Sequence, residues 1–163
     1  MDIAGSESLN FTTGGFSVGG WVRIPSTATS QSGGIIGKMY CPNDSRGYFL
    51  GVNGKSFTFR VGGVNATGTA TANDDMWHLV IGTFDGTGVH LYVDGDVVSN
   101  APGDYAAGGT TSKVVLLNRG DSASCFGYDL NGNLDEAWIW SYALSSTEVL
   151  DLWSSAQADA GAD

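Results

Sequence analysis

Apolar and polar residues alternate along several short stretches of this chain, as they do in half-buried β-strands. One such stretch places these residues on a single face: Phe16, Val18, Gly20, Val22 and Ile24. The pairs Asn53-Gly54, Asp85-Gly86 and Asp94-Gly95 separate successive stretches, and such pairs favour the tight turns of β-hairpins. The pattern predicts about twelve short strands, for which an antiparallel two-sheet sandwich is the natural arrangement.

The pattern changes from strand to helix near the end of the chain. Leu134 to Trp140 predicts a last strand, and Ser145 with Glu148 has the spacing of a capping box at a helix start. We predict one short C-terminal helical turn ending near Trp153. The domain would cover residues 1–155, with 156–163 as a linker or tail.

Composition fits a single all-β domain. The chain has 163 residues, 25 glycines and only 3 prolines, which suits many strands joined by tight turns. The net charge of −10 comes with scattered basic residues, which disfavours nucleic-acid binding. Most of the acids are aspartates, which favour loops, and acidic loops suit calcium. No apolar run reaches membrane-spanning length, so we expect no membrane insertion.

The C-terminal segment carries a family resemblance. Its spacing resembles the closing segment of laminin G-like, concanavalin A-like jelly-roll domains, on these residues: Gly132, Leu134, Asp135, Glu136, Ala137, Ile139, Trp140, Ala143, Leu144, Ser145 and Glu148. Upstream blocks, including Phe16–Val22 and Leu91–Gly95, are similar to the family's core strands. The resemblance implies an all-β, antiparallel two-sheet jelly-roll sandwich. It says little about function, because this fold hosts lectins, adhesion modules and enzyme appendages.

The two cysteines, Cys41 and Cys125, suggest a disulfide and therefore a secreted protein. Two free thiols in separate places are the alternative. Since the first residues already look like domain sequence, we expect a domain from a longer extracellular or cell-surface protein. A bond between the cysteines would hold their Cα atoms within roughly 7 Å and bring the two surrounding loops together.

Those two loops contain candidate calcium ligands. In pentraxins, which are jelly-roll relatives, the matching loops carry an adjacent carboxylate–amide pair and further acids. Asn43 and Asp44 match the first position in reversed order, and Asp121 matches the second. The resemblance implies one calcium ion, completed by backbone carbonyls and water. The alternative is that these side chains only cap turns.

Aromatic residues are candidates for stacking on sugar rings. Trp138 and Trp140 lie two apart on the predicted strand, so their rings share a face. They would form either an exposed binding platform or a surface packed against the helix. We place Trp21 and Trp77 in the core, as the family resemblance implies.

Loop residues provide the remaining candidate contacts. Tyr40, Tyr105 and Tyr128 would lie at the rim, and Arg119 begins an Arg-Gly-Asp tripeptide of the kind that integrins recognise.

No catalytic arrangement stands out. The three glutamates lack the same-face spacing of a glycoside hydrolase, and His78 and His90 are isolated in predicted strands. The sequence therefore predicts a non-catalytic, carbohydrate-binding module of a larger secreted protein, with calcium as its candidate cofactor. A protein-binding adhesion module and a structural spacer domain are the alternatives.

Overall fold

The computed structural model describes residues 2–3, 7–28, 31–39, 46–103, 112–117 and 129–160. Eleven strands lie within these ranges: β1 Asp2–Ile3, β2 Phe16–Arg23, β3 Gln31–Met39, β4 Gly47–Gly54, β5 Ser56–Val61, β6 Val64–Thr71, β7 Trp77–Phe84, β8 Gly88–Val93, β9 Asp96–Pro102, β10 Val114–Leu116 and β11 Asn133–Trp140. The same ranges contain a 3₁₀ turn, Glu7–Leu9, and one α-helix, α1 Ser146–Ala160.

The described strands form two antiparallel sheets, as the sequence predicts. The six-stranded sheet has the order β1-β10-β3-β4-β5-β6, and the five-stranded sheet has the order β11-β2-β7-β8-β9. Neighbouring strands are often distant in sequence, because β11 pairs with β2 and β10 pairs with β3. The architecture confirms the predicted jelly-roll sandwich.

The main core lies between the sheets. In β2, the predicted apolar face is buried, with Phe16, Val18 and Val22 each fully inaccessible. The ring of Phe16 stacks on Phe11 at a centroid distance of 4.5 Å. Complete burial of a large apolar side chain stabilises by about 1.5–3 kcal/mol, so this alternation supplies much of the force that pairs the sheets.

Helix α1 forms a third layer on the outer face of the five-stranded sheet. A second apolar cluster fills that contact, and we call it the helix cluster: Leu79, Ile81, Tyr92, Leu144 and Val149, with Trp21, Trp138, Trp140, Leu152 and Trp153 packed against it. The capping box is confirmed, because the Ser145 N–H donates to Glu148 Oε2 over 2.7 Å and the Glu148 N–H donates to Ser145 Oγ over 3.3 Å.

The helix extends further than the sequence predicts. It continues past Trp153 to Ala160, because the residues after Trp153 include several alanines and no proline or glycine before Gly161. It therefore covers part of the segment that the sequence assigned to a linker. The domain boundary at residue 155 stays a prediction.

Strand β11 carries an irregularity at the family's Leu-Asp-Glu block. Its pairing with β2 shifts between Asp135 and Trp138, and Glu136 has a φ of 50°. The Glu136 N–H donates to Asp135 Oδ1 over 2.9 Å. Asp135 therefore braces the backbone at a β-bulge, where the strand bends.

Candidate binding site

Most of the loop residues proposed from the sequence lie outside the described part of the chain. This group comprises Tyr40, Cys41, Asn43, Asp44, Tyr105, Arg119, Asp121, Cys125 and Tyr128. The calcium site, the disulfide and the aromatic rim therefore stay predictions.

Trp138 and Trp140 do share a face of β11, with ring centroids 5.7 Å apart and planes tilted by 39°. Both are half-buried and pack against the helix cluster. Trp138 lies opposite Gly19 of β2, where an added Cβ would stand 2.7 Å from Ile81. The pair thus contributes to holding the helix on the sheet, and its part in ligand binding stays a prediction.

The other two tryptophans differ from each other. Trp21 stacks on Trp153 of α1 at 5.4 Å, so it packs in the helix cluster on the outer face of its sheet. Trp77 is 41% exposed at the start of β7. The expectation that Trp77 belongs to the core is wrong, because the strand start lies beyond the edge of the packed region.

A groove of about 400 Å³ lies on the six-stranded sheet, and we call it the sheet groove. These residues line it: Ser32, Phe49, Val52, Asn53, Thr58, Arg60 and Asn65. Strand register explains the position, because Phe49 pairs with Arg60 and Arg60 pairs with Asn65 across β4, β5 and β6. Their side chains face away from the core, which takes the alternate residues Leu50 and Phe59.

Hydrogen bonds fix the polar part of the sheet groove. The Thr58 hydroxyl donates to Asn65 Oδ1 over 2.6 Å and lies 3.0 Å from the Thr67 hydroxyl. The Asn65 amide donates to Thr67 Oγ1 over 2.9 Å. These groups stand on strands rather than on loops, so their positions are set before a ligand arrives.

The apolar part of the groove depends on a glycine. Phe49 is only 7% exposed, and a Cβ on Gly51 would lie 2.4 Å from the tip of the Phe49 ring. The ring therefore leans along β4 over Gly51, where any larger residue would displace it. The groove therefore contacts only a small part of the Phe49 ring, beside amides, hydroxyls and a guanidinium.

Sequence reasoning missed the sheet groove. The signal was present in β5, where Phe57 and Phe59 alternate with Thr58 and Arg60. This alternation shows only that Thr58 and Arg60 face outward. That Asn65 and Phe49 join them depends on the pairing of three strands, and the sequence alone did not set that register.

A second concavity, the helix-side cleft, lies between the end of β11 and α1 and has a volume of about 410 Å³. These residues line it: Trp140, Tyr142, Leu144, Glu148, Asp151, Leu152 and Ser155. Of the two predicted tryptophans, Trp140 borders this cleft.

His78 is held between two carboxylates. Its Nδ1 lies 2.7 Å from Asp94 Oδ2, and its Nε2 lies 3.2 Å from Asp74 Oδ1. The hydrogen bond with Asp94 raises the pKa of His78 above its usual 6.5, although burial opposes this. Asp94 also accepts the Leu79 N–H over 3.0 Å, so the arrangement braces the turn between β8 and β9.

Two broader features of the described residues bear on function. No three histidine, cysteine or acidic side chains in these ranges are grouped so as to hold a metal ion. Within the same ranges, no helix is long and apolar enough to cross a membrane.

Solved structures similar to this one include toxin binding domains. The binding domain of Paraclostridial Mosquitocidal Protein 1 has a TM-score of 0.73 and 16% identity, with 95% of this chain and 40% of that chain covered. The binding domain of botulinum neurotoxin serotype G has a TM-score of 0.64 and 15% identity, with 90% and 37% covered.

The binding domain of botulinum neurotoxin DC, in complex with rat synaptotagmin II, has a TM-score of 0.63 and 14% identity, with 90% and 37% covered. This chain thus spans about two fifths of the length of these structures. At such identities the likeness shows a shared fold alone.

Sequence comparison gives the family. No curated protein sequence is significantly similar to the chain. A laminin G profile, described as concanavalin A-like lectin/glucanases superfamily, matches residues 3–150. The matched range includes both sheets and the first turn of α1, and the chain belongs to this laminin G-like family of the concanavalin A-like superfamily.

Proposed function

We propose that the chain is a non-catalytic carbohydrate-binding module and that the sheet groove is its binding site. The observation that carries this proposal is the lining of the groove, where amide and hydroxyl groups on four paired strands, β3 to β6, lie beside an aromatic ring. Sugars present many hydroxyls and a smaller apolar face, so hydrogen-bonding groups beside a small apolar contact suit them.

The polar groups are suited to hydroxyl ligands. Asn65 is exposed and keeps acceptor and donor capacity beyond its bonds with Thr58 and Thr67, since an amide has two lone pairs and two N–H groups. Arg60 adds a fixed fork of donors and no acceptor. A neutral sugar brings no charge of its own into the groove, so no ligand charge is buried without a partner.

The same fold in toxin binding domains supports a recognition role without catalysis. Those neighbours are longer than this chain, and they are described as binding domains. For this chain, the corresponding proposal is a recognition module within a longer, secreted protein. We also propose that Cys41 and Cys125 form a disulfide.

Protein binding is the second candidate function. The botulinum neurotoxin DC domain is described in complex with rat synaptotagmin II, which is a protein. In this chain, Val97, Tyr142 and Leu150 are about half exposed on the helix side. An exposed apolar surface of this kind favours a protein partner, whereas the sheet groove favours a sugar.

Calcium is the proposed cofactor, held by Asn43, Asp44 and Asp121. Carboxylate and amide oxygens are the ligands that calcium prefers. Binding of the whole chain to an oligosaccharide panel tests the proposed function, and calorimetric titration of calcium into the whole chain and into an Asp121→Asn variant tests the cofactor. Saturable calcium binding that the variant loses supports the calcium proposal, and no binding, or equal binding by both chains, contradicts it.

Substitution of Asn65 tests the sheet groove itself. Asn65→Ala removes an exposed side chain, so the fold is kept, and we expect affinity for the best oligosaccharide to fall about tenfold, which is 1.4 kcal/mol. Asn133→Ala is the matched control, because Asn133 is an exposed strand residue on the other sheet. Equal affinity of both variants for the sugar would overturn the assignment of the groove.

A further inference from the structure

The helix-side cleft has two walls of different chemistry. One wall is the end of β11 with the residues that follow it, and it presents Trp140 and Tyr142. The other is α1, which presents Glu148, Asp151, Leu152 and Ser155. The spacing i, i+3, i+4, i+7 places these four residues on one stripe of the helix. The cleft is therefore a consequence of how the helix is docked on the sheet.

The aromatic wall is held in place from behind. Trp140 is half-buried, and its ring lies 5.7 Å from that of Trp138, which packs against the helix cluster. Tyr142 is 51% exposed. The backbone carbonyl of Tyr142 accepts a hydrogen bond from the buried Ser17 hydroxyl over 3.0 Å, so the chain is anchored at this residue. The π faces of such rings attract cations.

The helical wall is negatively charged. Hydrogen bonds from the Ser145 N–H and hydroxyl hold the pKa of Glu148 below its usual range, so this carboxyl is ionised at neutral pH. Only Glu148 Oε2 takes part in the capping bonds. Asp151, one turn further, is exposed at the same opening. Among the residues that the structure describes, no basic side chain lines the cleft to neutralise these two carboxylates.

We propose that the helix-side cleft binds the quaternary ammonium group of a small organic cation. The two carboxylates repel anions and attract cations, so a cation is the favoured occupant of the cleft. The net charge of −10 of the whole chain adds to this preference. The aromatic rings, with Leu144 and Leu152, suit the methyl groups of a diffuse and weakly hydrated cation. A compact metal ion would need more oxygen ligands than this lining supplies.

Choline and its uncharged carbon isostere, 3,3-dimethylbutan-1-ol, are the probes that test the charge. Each is titrated into the ¹⁵N-labelled whole chain at fixed ionic strength, and the indole N–H resonance of Trp140 is followed. We expect saturable binding of choline that is about tenfold tighter than that of the isostere. Equal binding of the two, or no saturable shift with choline, overturns the proposal.

Two conservative variants test the carboxylates. Glu148→Gln keeps a side chain that serves in a capping box, and Asp151→Asn changes an exposed position, so both should fold. We expect each to weaken choline binding about three- to tenfold. Asp96→Asn is the matched control, since Asp96 is an exposed acid on β9, at the opposite edge of the sheet from β11. Unchanged affinity in both cleft variants contradicts the proposal.

Two further measurements separate this site from its competitors. Nα-acetyl-lysine amide, titrated in the same way, should bind more weakly than choline, and equal binding would contradict the selectivity for quaternary ammonium. Asn65→Ala should leave choline binding unchanged, because the sheet groove lies on the other sheet. Loss of choline binding in Asn65→Ala would contradict the assignment to the helix-side cleft.

Discussion

Single polar side chains connect the layers of this molecule. Ser17 of β2 is fully buried, and its hydroxyl donates to the Tyr142 carbonyl over 3.0 Å while accepting the Leu144 N–H over 2.8 Å. These bonds join β2, an inner strand of the five-stranded sheet, to the chain that leads into α1. One hydroxyl thus contributes, together with the helix cluster, to the position of the helix on the sheet.

Replacement of Ser17 should therefore be costly. In Ser17→Ala the Leu144 N–H loses its acceptor in a buried place, which costs about 1–3 kcal/mol of unfolding free energy. Urea unfolding followed by tryptophan fluorescence measures the loss. Ser154→Ala on the exposed side of α1 is the control and should change stability by less than about 0.5 kcal/mol. Equal stability of the two variants would contradict the role of Ser17.

The His78 contacts predict a pH dependence. The hydrogen bond with Asp94 raises the folded-state pKa of His78 above the unfolded value of 6.5. Folding then favours proton binding, so the stabilisation is fully present below pH 6.5 and is lost as the pH rises through the higher folded-state pKa. We expect the free energy of unfolding to fall from pH 6 to pH 9, and His78→Gln should reduce this fall. An unchanged slope in the variant would refute the assignment.

At the scale of elements, α1 depends on its first turn. Ser145 and Glu148 exchange hydrogen bonds at its N-terminus, and Val149 packs in the helix cluster one residue later. The cap therefore stabilises the helix start at the point where it meets the sheet. The helix itself completes the third layer.

Removal of the cap should destabilise the protein by a measurable amount. We expect Ser145→Ala to cost about 0.5–2 kcal/mol, because the Glu148 N–H loses its capping acceptor. Ser146→Ala, at the first helical residue, is the control and should be close to neutral. Thermal unfolding by circular dichroism compares them, and equal midpoints for both variants would argue against the cap.

The sequence predicted elements well where short-range patterns determine them. Alternation identified the buried face of β2, the Asn-Gly and Asp-Gly pairs marked hairpins, and the Ser145–Glu148 spacing marked the helix start. It did not predict the end of α1 at Ala160, because an alanine-rich tail is compatible with both helix and linker. It also left open whether Trp138 would be exposed, since that depends on where the helix docks.

At the scale of the whole molecule, the helix is part of the domain rather than an appendage. The outer face of the five-stranded sheet carries Leu79, Ile81 and Tyr92, all buried in the helix cluster. Without α1 these residues and the neighbouring tryptophans would be exposed to water. An apolar surface of that kind promotes association.

A truncated chain tests the role of the helix in the domain. A chain that ends at Tyr142 should bind the dye ANS, aggregate and lose cooperative unfolding, because the helix cluster loses one wall. A chain that lacks only residues 161–163 is the control and should behave like the complete sequence. Cooperative unfolding and solubility in the shorter chain would show that the helix is dispensable.

The candidate site was less predictable than the fold, for a physical reason. The two-sheet sandwich follows from local alternation and turns, and the jelly roll follows from the family resemblance. The sheet groove instead needs Phe49, Thr58 and Asn65 from three strands to stand side by side. The sequence instead directed attention to aromatic and acidic loops. Those loops still carry the calcium proposal.

Mapping a bound oligosaccharide onto the protein tests the central claim most directly. The best ligand of the panel is titrated into the ¹⁵N-labelled whole chain, and the shifted backbone amides are assigned. The account predicts that the largest shifts lie in β4, β5 and β6, around Phe49, Thr58 and Asn65. Shifts confined to α1 or to the five-stranded sheet, or no binding of any sugar, would contradict it.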